Sequence, residues 1–376
     1  MSWPCVVWCS SSAHVASPEK RRLASLLSEL AEYRVDGILV TSAANIRYLT
    51  GFTGSSGLLV VTPEDATLIT DFRYMTQVKE EVGTVADVII DSESLWSALW
   101  KHLARSAGLK VLGFESVHLT HRDFERLLEA GSRWQWRPVE DLVESLRQRK
   151  DKRELDQITA AAGIATTALQ SLVGAVKPGM REYEIAGILE KALRDAGSEA
   201  FAFPTIVASG SRSALPHART SEREVRQGEL LLVDFGAVAG GYCSDVTRTF
   251  VVGAAGTRER EIHRIVRTAN ETASAGIRAG MAGKDADALA RAHIEHSGFG
   301  QEFGHGLGHG IGLEVHEAPR LSRTTEATLP PSAVVTIEPG IYIPGWGGVR
   351  IEDDVYVGAD GPRVLTSFTR DLVELR

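Results

Sequence analysis

Cysteine is scarce in this sequence: Cys5, Cys9 and Cys243 are the three among 376 residues. That is too few for a disulfide framework, and the expected location is a reducing one, the cytoplasm. Long apolar runs are missing too. No stretch approaches the roughly 18 uninterrupted apolar residues of a membrane span, so a soluble chain with no membrane partner is expected. Basic charge is in deficit, with 41 Lys and Arg against 49 Asp and Glu and a net charge of -8. The cations are also scattered, which excludes the basic stripe of a nucleic-acid binder. With 43% hydrophobic and 24% charged residues the chain reads as globular. The opening MSWPCVVWCSSSAHVAS lacks the basic start and small-residue cleavage site of a secretory signal, and residues 1–20 read as an irregular extension. Cys5 and Cys9, without a second pair of thiols, do not read as a metal site.

The length calls for two domains. From Arg21, the leucines at 23, 26, 27 and 30 have helical spacing, and VDGILV from Val35 reads as a buried strand. Strand-like runs at 58–62, 66–71, 86–90 and 111–114, with helical stretches at 74–81 and 121–130, predict an α/β domain over residues 21–148. The charged segment RQRKDKREL, from Arg147, sets a boundary near Arg149. Residues 149–376 then read twice as helices followed by a pair of strands, making the whole chain α/β, or α+β.

The chemistry is concentrated in that second part. Asp234 and Asp245 lie on two arms of LLLVDFGAVAGGYCSDVTRTFVV, whose turn is marked by Gly240 and Gly241. Any two-residue turn there puts both acids on one face, and with Ala239 and Gly240 central they lie directly opposite. Solvated aspartates are the simpler reading of such a pair. Here, however, Leu231, Leu232, Val233 and Phe235 make both faces of the strand apolar, and facing carboxylates in such a place need a cation between them.

Glu338 in VVTIEPGIYI and Glu352 in VRIEDDVYV repeat the pattern, and an odd-length loop between them puts both on one face. A single buried acid is often an ordinary core group. Four in two such hairpins are not, because each isolated buried carboxylate costs several kcal/mol or takes up a proton. Between the hairpins lies FGHGLGHGIGLEVHEAP, with His305, His309 and His316 among its glycines. Four carboxylates and one neutral imidazole balance two divalent ions. Oxygen-rich ligation with a single histidine and no thiolate suits manganese, cobalt or zinc. Two such ions about 3.5 Å apart can activate a shared water and polarise a carbonyl.

VDFG, SDVTRTF, GHGIGLEVHEAP, TIEPGIY and RIEDD, in this order, resemble the Xaa-Pro peptidases of the pita-bread creatinase and methionine aminopeptidase superfamily. NIRYLTGF from Asn45 and TDFRYMTQ from Thr70 are similar to the creatinase-type N-terminal domain of those peptidases. The resemblance implies a creatinase-like domain followed by a pita-bread catalytic domain. It also implies two divalent metal ions, manganese before cobalt or zinc. Asp234 is then a ligand of one ion, His309 and Glu338 are ligands of the other, and Asp245 and Glu352 bridge them. Glu338 handles the proton of the attacking water, His316 steadies the tetrahedral intermediate, and His217 in SGSRSALPHART binds substrate near the scissile bond. His305 lines the proline pocket and Arg350 supports Glu352. Among the arginines near the motifs, Arg320 and Arg350 are the two expected to bind the substrate, Arg350 being also engaged with Glu352. Cys243 reads as packing. The expected substrates are peptides with proline in second position. Aminopeptidase action on tripeptides and longer ranks above the alternative, an Xaa-Pro dipeptidase. A homodimer or larger homo-oligomer is expected. A metal-free creatinase reaction is disfavoured by the full ligand set, and a methionine aminopeptidase by the N-terminal domain.

Overall fold

The structure is a computed structural model that describes residues 17–376, so Cys5, Cys9 and most of the expected extension lie outside the described residues. Contacts divide the chain into two units, with the boundary between Leu146 and Arg147.

Among the described residues the first unit carries helices α1 (Pro18–Glu29), α2 (Ala43–Thr50), α3 (Gln77–Glu81), α4 (Leu95–Leu103) and α5 (His121–Glu129), and α6 (Leu142–Arg147) ends it at the boundary. Its strands are β1 (Gly37–Val40), β2 (Leu58–Val61), β3 (Ala66–Thr70), β4 (Asp87–Ile90), β5 (Val111–Glu115) and β6 (Gln135–Val139), in one sheet of order β4-β3-β2-β1-β5-β6. Helix α1 starts at Pro18, inside the segment expected to be irregular. Ser17 caps it by accepting the Lys20 amide, and proline at the first position forfeits no helical hydrogen bond. The helix expected over 74–81 is shorter, because Asp71 accepts the Arg73 amide and winds 72–74 into a 3-10 turn before α3. Asn45 of NIRYLTGF is buried and donates to Glu115 and Glu144, tying α2 to β5 and α6.

In the second unit, α7 (Lys152–Val173) opens with a capping box between Asp151 and Glu154, and α8 (Glu182–Asp195) follows. Next come β7 (Ile206–Ser209), β8 (Leu230–Phe235), the short ribbon β9 (Val238–Ala239) and β10 (Tyr242–Cys243), and β11 (Val246–Val252). After α9 (Thr257–Gly276) and α10 (Gly283–His296) lie β12 (Gly308–Gly310), β13 (Glu317–Leu321) and β14 (Ala333–Ile337). The ribbon β15 (Gly340–Ile343) and β16 (Gly347–Arg350), then β17 (Asp353–Gly358), β18 (Gly361–Val364) and β19 (Glu374–Leu375), complete the chain. The larger sheets have the orders β19-β11-β8-β7 and β13-β12-β14-β17-β18.

The repeat legible in the sequence is therefore topological. A helix pair, a long strand flanked by a preceding strand, a ribbon and a returning strand occur as α7 to β11 and again as α9 to β17, the second copy having β12 and β13 where the first has β7. Each helix pair covers its own sheet. Ala165, Leu169 and Leu189 are buried with Val233 and Phe250, while Val266, Ala290 and Ile294 are buried with Val335 and Val355. Burying each such aliphatic side chain is worth about 1.5–3 kcal/mol, which makes both sheets rigid supports for what their ribbons carry.

Candidate metal centre

Each repeat contributes one acid before its ribbon and one after it. Across the second ribbon the register pairs Ile337 with Asp353 and Gly340 with Arg350, so Glu338 and Glu352 face each other directly. The first ribbon differs from the expected register. Gly240 and Gly241, both at positive φ, are the central turn residues, because Ala239 pairs with Tyr242. Asp234 therefore stands opposite Thr247, and Asp245 lies diagonally from it on the same face. The repeats join where the Glu352 amide donates to the Thr247 carbonyl at 3.0 Å.

The glycine-rich run brings His309 to this face. A Cβ at Gly308 would lie 2.0 Å from the Thr336 carbonyl oxygen, and one at Gly310 2.1 Å from that of Ala318. Only glycine lets β12 slide between β13 and β14 at this distance. His309 Nε2 is 3.8 Å from Asp245 Oδ2 and 3.5 Å from Glu338 Oε1. Donor atoms of Asp245, His309 and Glu352 all lie within 4.8 Å of one another. These separations are long for hydrogen bonds, but they suit donors sharing one ion, since bonds of about 2.1 Å at a tetrahedral angle put donors about 3.4 Å apart.

The electrostatics agree with that fit. Asp245 Oδ1 and Asp234 Oδ1 are buried without a hydrogen-bond partner among the described residues, an arrangement that is costly unless a cation is bound. Burial, then repulsion from Glu352, Asp234 and Glu338, raises the Asp245 carboxyl far above its ordinary range. Burial and Glu352 do the same to Glu338, and burial and Asp234 push Glu352 up to about 7. Burial holds His309 down to about 4, hence neutral, with Nδ1 bonded to the Gly310 carbonyl at 3.0 Å and Nε2 turned to the acids. That is the ligating form of imidazole.

Around the acids, His305 sits with Nε2 3.0 Å from the Tyr342 hydroxyl and Nδ1 3.9 Å from Glu338 Oε2. The His316 ring lies 4.4 Å from that of His309. Burial, then Arg320 and His217, lowers the His316 pKa, so these three groups act on one another. His217 is exposed in the loop after β7, and its neighbour Pro216 accepts a hydrogen bond from Arg350. Arg320 is exposed in β13, in register with His309, and its side chain has no hydrogen bond or ion pair among the described residues.

Arg350 was expected to support Glu352, but its direct carboxylate partner is Asp234, at 2.5 Å. Glu352 is reached through a relay: Arg350 Nε donates to Thr247 Oγ1, which donates to Glu352 Oε2 at 2.6 Å. Arg350 Nη1 binds the Tyr342 hydroxyl and the Pro216 carbonyl, which leaves this buried guanidinium largely committed inside the protein. Sequence reasoning passed over Thr247, Thr336 and Asp354. Thr336 Oγ1 accepts the His309 amide at 3.1 Å, and Asp354 Oδ2 accepts the Asp245 amide at 3.2 Å. For Asp354 a signal was present, a second acid two residues beyond Glu352 in an apolar strand. For the threonines there was none. Cys243 is buried, and burial with nearby Glu317 pushes its thiol up to about 12, as befits packing.

Residues 156–359 match the family model of metallopeptidase family M24, and residues 22–149 match that of the creatinase/prolidase N-terminal domain. The chain belongs to metallopeptidase family M24. It is a peptidase with the pita-bread catalytic fold. An Xaa-Pro dipeptidase of Pyrococcus furiosus is 36% identical over 94% of this chain and all of its own length. A solved Xaa-Pro dipeptidase from Bacillus anthracis superposes with a TM-score of 0.92 at 39% identity, covering 95% of this chain and 100% of that one. A solved X-Pro aminopeptidase from Thermotoga maritima gives 0.86 at 37% identity, covering 93% and 99%. Family M24 membership implies divalent metal, and Asp245, His309 and Glu352 form a donor group able to hold it. Among the described residues, no helix is long and apolar enough to cross a membrane.

Proposed function

We propose that this M24 peptidase is an Xaa-Pro dipeptidase that splits the bond before proline in dipeptides. This reverses the order in which the sequence ranked dipeptidase and aminopeptidase action. The observation that carries the choice is Arg320: a cation with no side-chain partner among the described residues, beside His309 and His316, able to receive the carboxylate of a C-terminal proline. The names of the similar dipeptidases support it. The aminopeptidase reading is favoured by the Thermotoga maritima structure, and it places a peptide bond where Arg320 expects a charge.

Asp234, Asp245, His309, Glu338 and Glu352 would hold two divalent ions, manganese before cobalt or zinc. Bound there, the ions supply an activated water and a polarised scissile carbonyl. The chain's own residues do the rest. Glu338, whose side chain is 19% exposed against 7% for Asp245 and 11% for Asp234, takes the proton and returns it to the proline nitrogen. His316 donates a hydrogen bond to the carbonyl oxygen as charge develops on it. His217 orients the peptide, and His305 with Tyr342 walls the proline ring. Arg350 keeps Asp234 and Thr247 in place. We also propose a cytoplasmic homodimer; light scattering that finds only a 40.7 kDa species at micromolar concentration would refute the dimer.

The deciding experiment compares kcat/KM for Ala-Pro and Ala-Pro-Ala with manganese supplied. A clear preference for Ala-Pro is expected. A preference for the tripeptide would return the aminopeptidase reading.

A further inference from the structure

The charged stretch RQRKDKREL, read from the sequence only as a boundary, contains two cations that are not solvated. The side chains of Arg147 and Lys150 are 2% and 1% exposed, and both turn onto Glu317, itself 6% exposed. Lys150 Nζ donates to Glu317 Oε2 at 2.9 Å and Arg147 donates to Oε1. Arg147 also donates to Glu314 at 2.8 Å, and Glu317 Oε1 accepts the Glu314 amide at 3.0 Å. The carboxylate thus closes the turn that carries it. A Cβ on Gly312 would stand 2.7 and 2.8 Å from its two oxygens, so a glycine leaves it room. Burial works against ionising Glu317, but Lys150 and Arg147 outweigh it and keep the carboxyl below its usual range.

A buried ionic cluster ordinarily does no more than stabilise a fold. This one lies on the turn that carries His316, the exposed residue before Glu317, and is followed within β13 by Arg320. Neither His316 nor Arg320 has a side-chain hydrogen bond among the described residues, so the backbone of this turn sets where both lie. We propose that Arg147 and Lys150 are positioning residues for the substrate: by gripping Glu317 they fix the 312–320 segment and hence the places of His316 and Arg320. The proposal rests on the reading of His316 and Arg320 as substrate contacts.

The test uses the full, metal-loaded chain and the variants Lys150→Met, Glu317→Gln and Gly312→Ala. The last displaces the carboxylate without burying or removing any charge, so it remains informative should the others fail to fold. The expected result is a rise in KM for Ala-Pro, and a fall of about tenfold or more in the ratio of kcat/KM for Ala-Pro over Ala-Pro-Ala, at unchanged metal content. A purely structural role lowers the yield of folded protein and leaves KM and the ratio untouched; that outcome overturns the proposal, and so does loss of metal. If the parent protein itself shows no preference for Ala-Pro, the dipeptide reading fails alone. The positioning role is then decided through His316. A fall of about tenfold in the kcat of Gly312→Ala at full metal content upholds it, and an unchanged kcat overturns it.

Discussion

Arg350 Nη2 closes on Asp234 Oδ2 at 2.5 Å, a pair that joins the ribbon of one topological repeat to the long strand of the other. Both groups are buried. Replacing Arg350 by methionine leaves Asp234 with no countercharge, a change that costs about 3–5 kcal/mol in comparable buried pairs. Denaturant unfolding of the metal-stripped variant should show that loss. Arg350→Lys should recover part of it, since an ammonium cannot reach Asp234, Thr247 and Tyr342 together. A loss below about 1 kcal/mol in Arg350→Met would mean that the pair is not a support.

Metal removal should make stability depend on pH in a defined sense. Without ions, the folded state holds Glu352 near 7 instead of its ordinary 4.5, and Asp245 and Glu338 shift in the same direction. The folded stripped protein therefore binds protons more tightly than the unfolded chain. That contribution is complete below pH 4.5 and is lost as pH rises through about 7, at up to about 1.4 kcal/mol per pH unit for each proton. The buried His263, His305 and His309, held at about 4, act in the opposite sense and gain stability as pH rises from 4 to 6.5. Thermal melts of the stripped protein should therefore fall from pH 6.5 to pH 8, and saturating manganese should flatten the trend. A stripped protein more stable at pH 8 would contradict this account.

His316→Ala and Asp245→Ala should separate catalysis from metal binding. The first should lower kcat by roughly two to three orders of magnitude at normal metal content, the usual loss on removing one oxyanion donor. The second should empty at least one metal position, measured as bound ion per chain. Metal loss in His316→Ala would make it a ligand.

Arg320→Gln should cost Ala-Pro hydrolysis about tenfold to a hundredfold, the range for losing one charge-assisted contact, and leave Ala-Pro-Ala nearly unchanged. Equal losses on both substrates would remove Arg320 from the carboxylate site.

The acids were legible in the sequence because charge in an apolar strand is locally anomalous, and two hairpins with the same anomaly reinforce each other; His309 was singled out among the histidines of the glycine-rich run by the resemblance. Their exact facing was not. Moving the turn centre from Ala239 and Gly240 to Gly240 and Gly241 shifts the partner of Asp234 from Asp245 to Thr247, and periodicity does not distinguish the two. The Arg350 partner was misjudged for a related reason: proximity in sequence favoured Glu352, while the fold brings Asp234 from over a hundred residues away. Arg147 and Lys150 were hidden by their own neighbours, since a run of cations reads as solvent-facing until the partner acid, Glu317, is placed.

The division of the proposed ligands between two repeats also dictates an order of events. Asp245 and Glu352 are 107 positions apart, yet their carboxylates belong to one cluster. An unfolded chain would have to close a loop of that length before it could offer both to an ion. Neither repeat alone presents more than two of the four acids. The ion must therefore arrive last, at a chain whose two sheets have already met, and chelator present during refolding should spare the fold while withholding the activity.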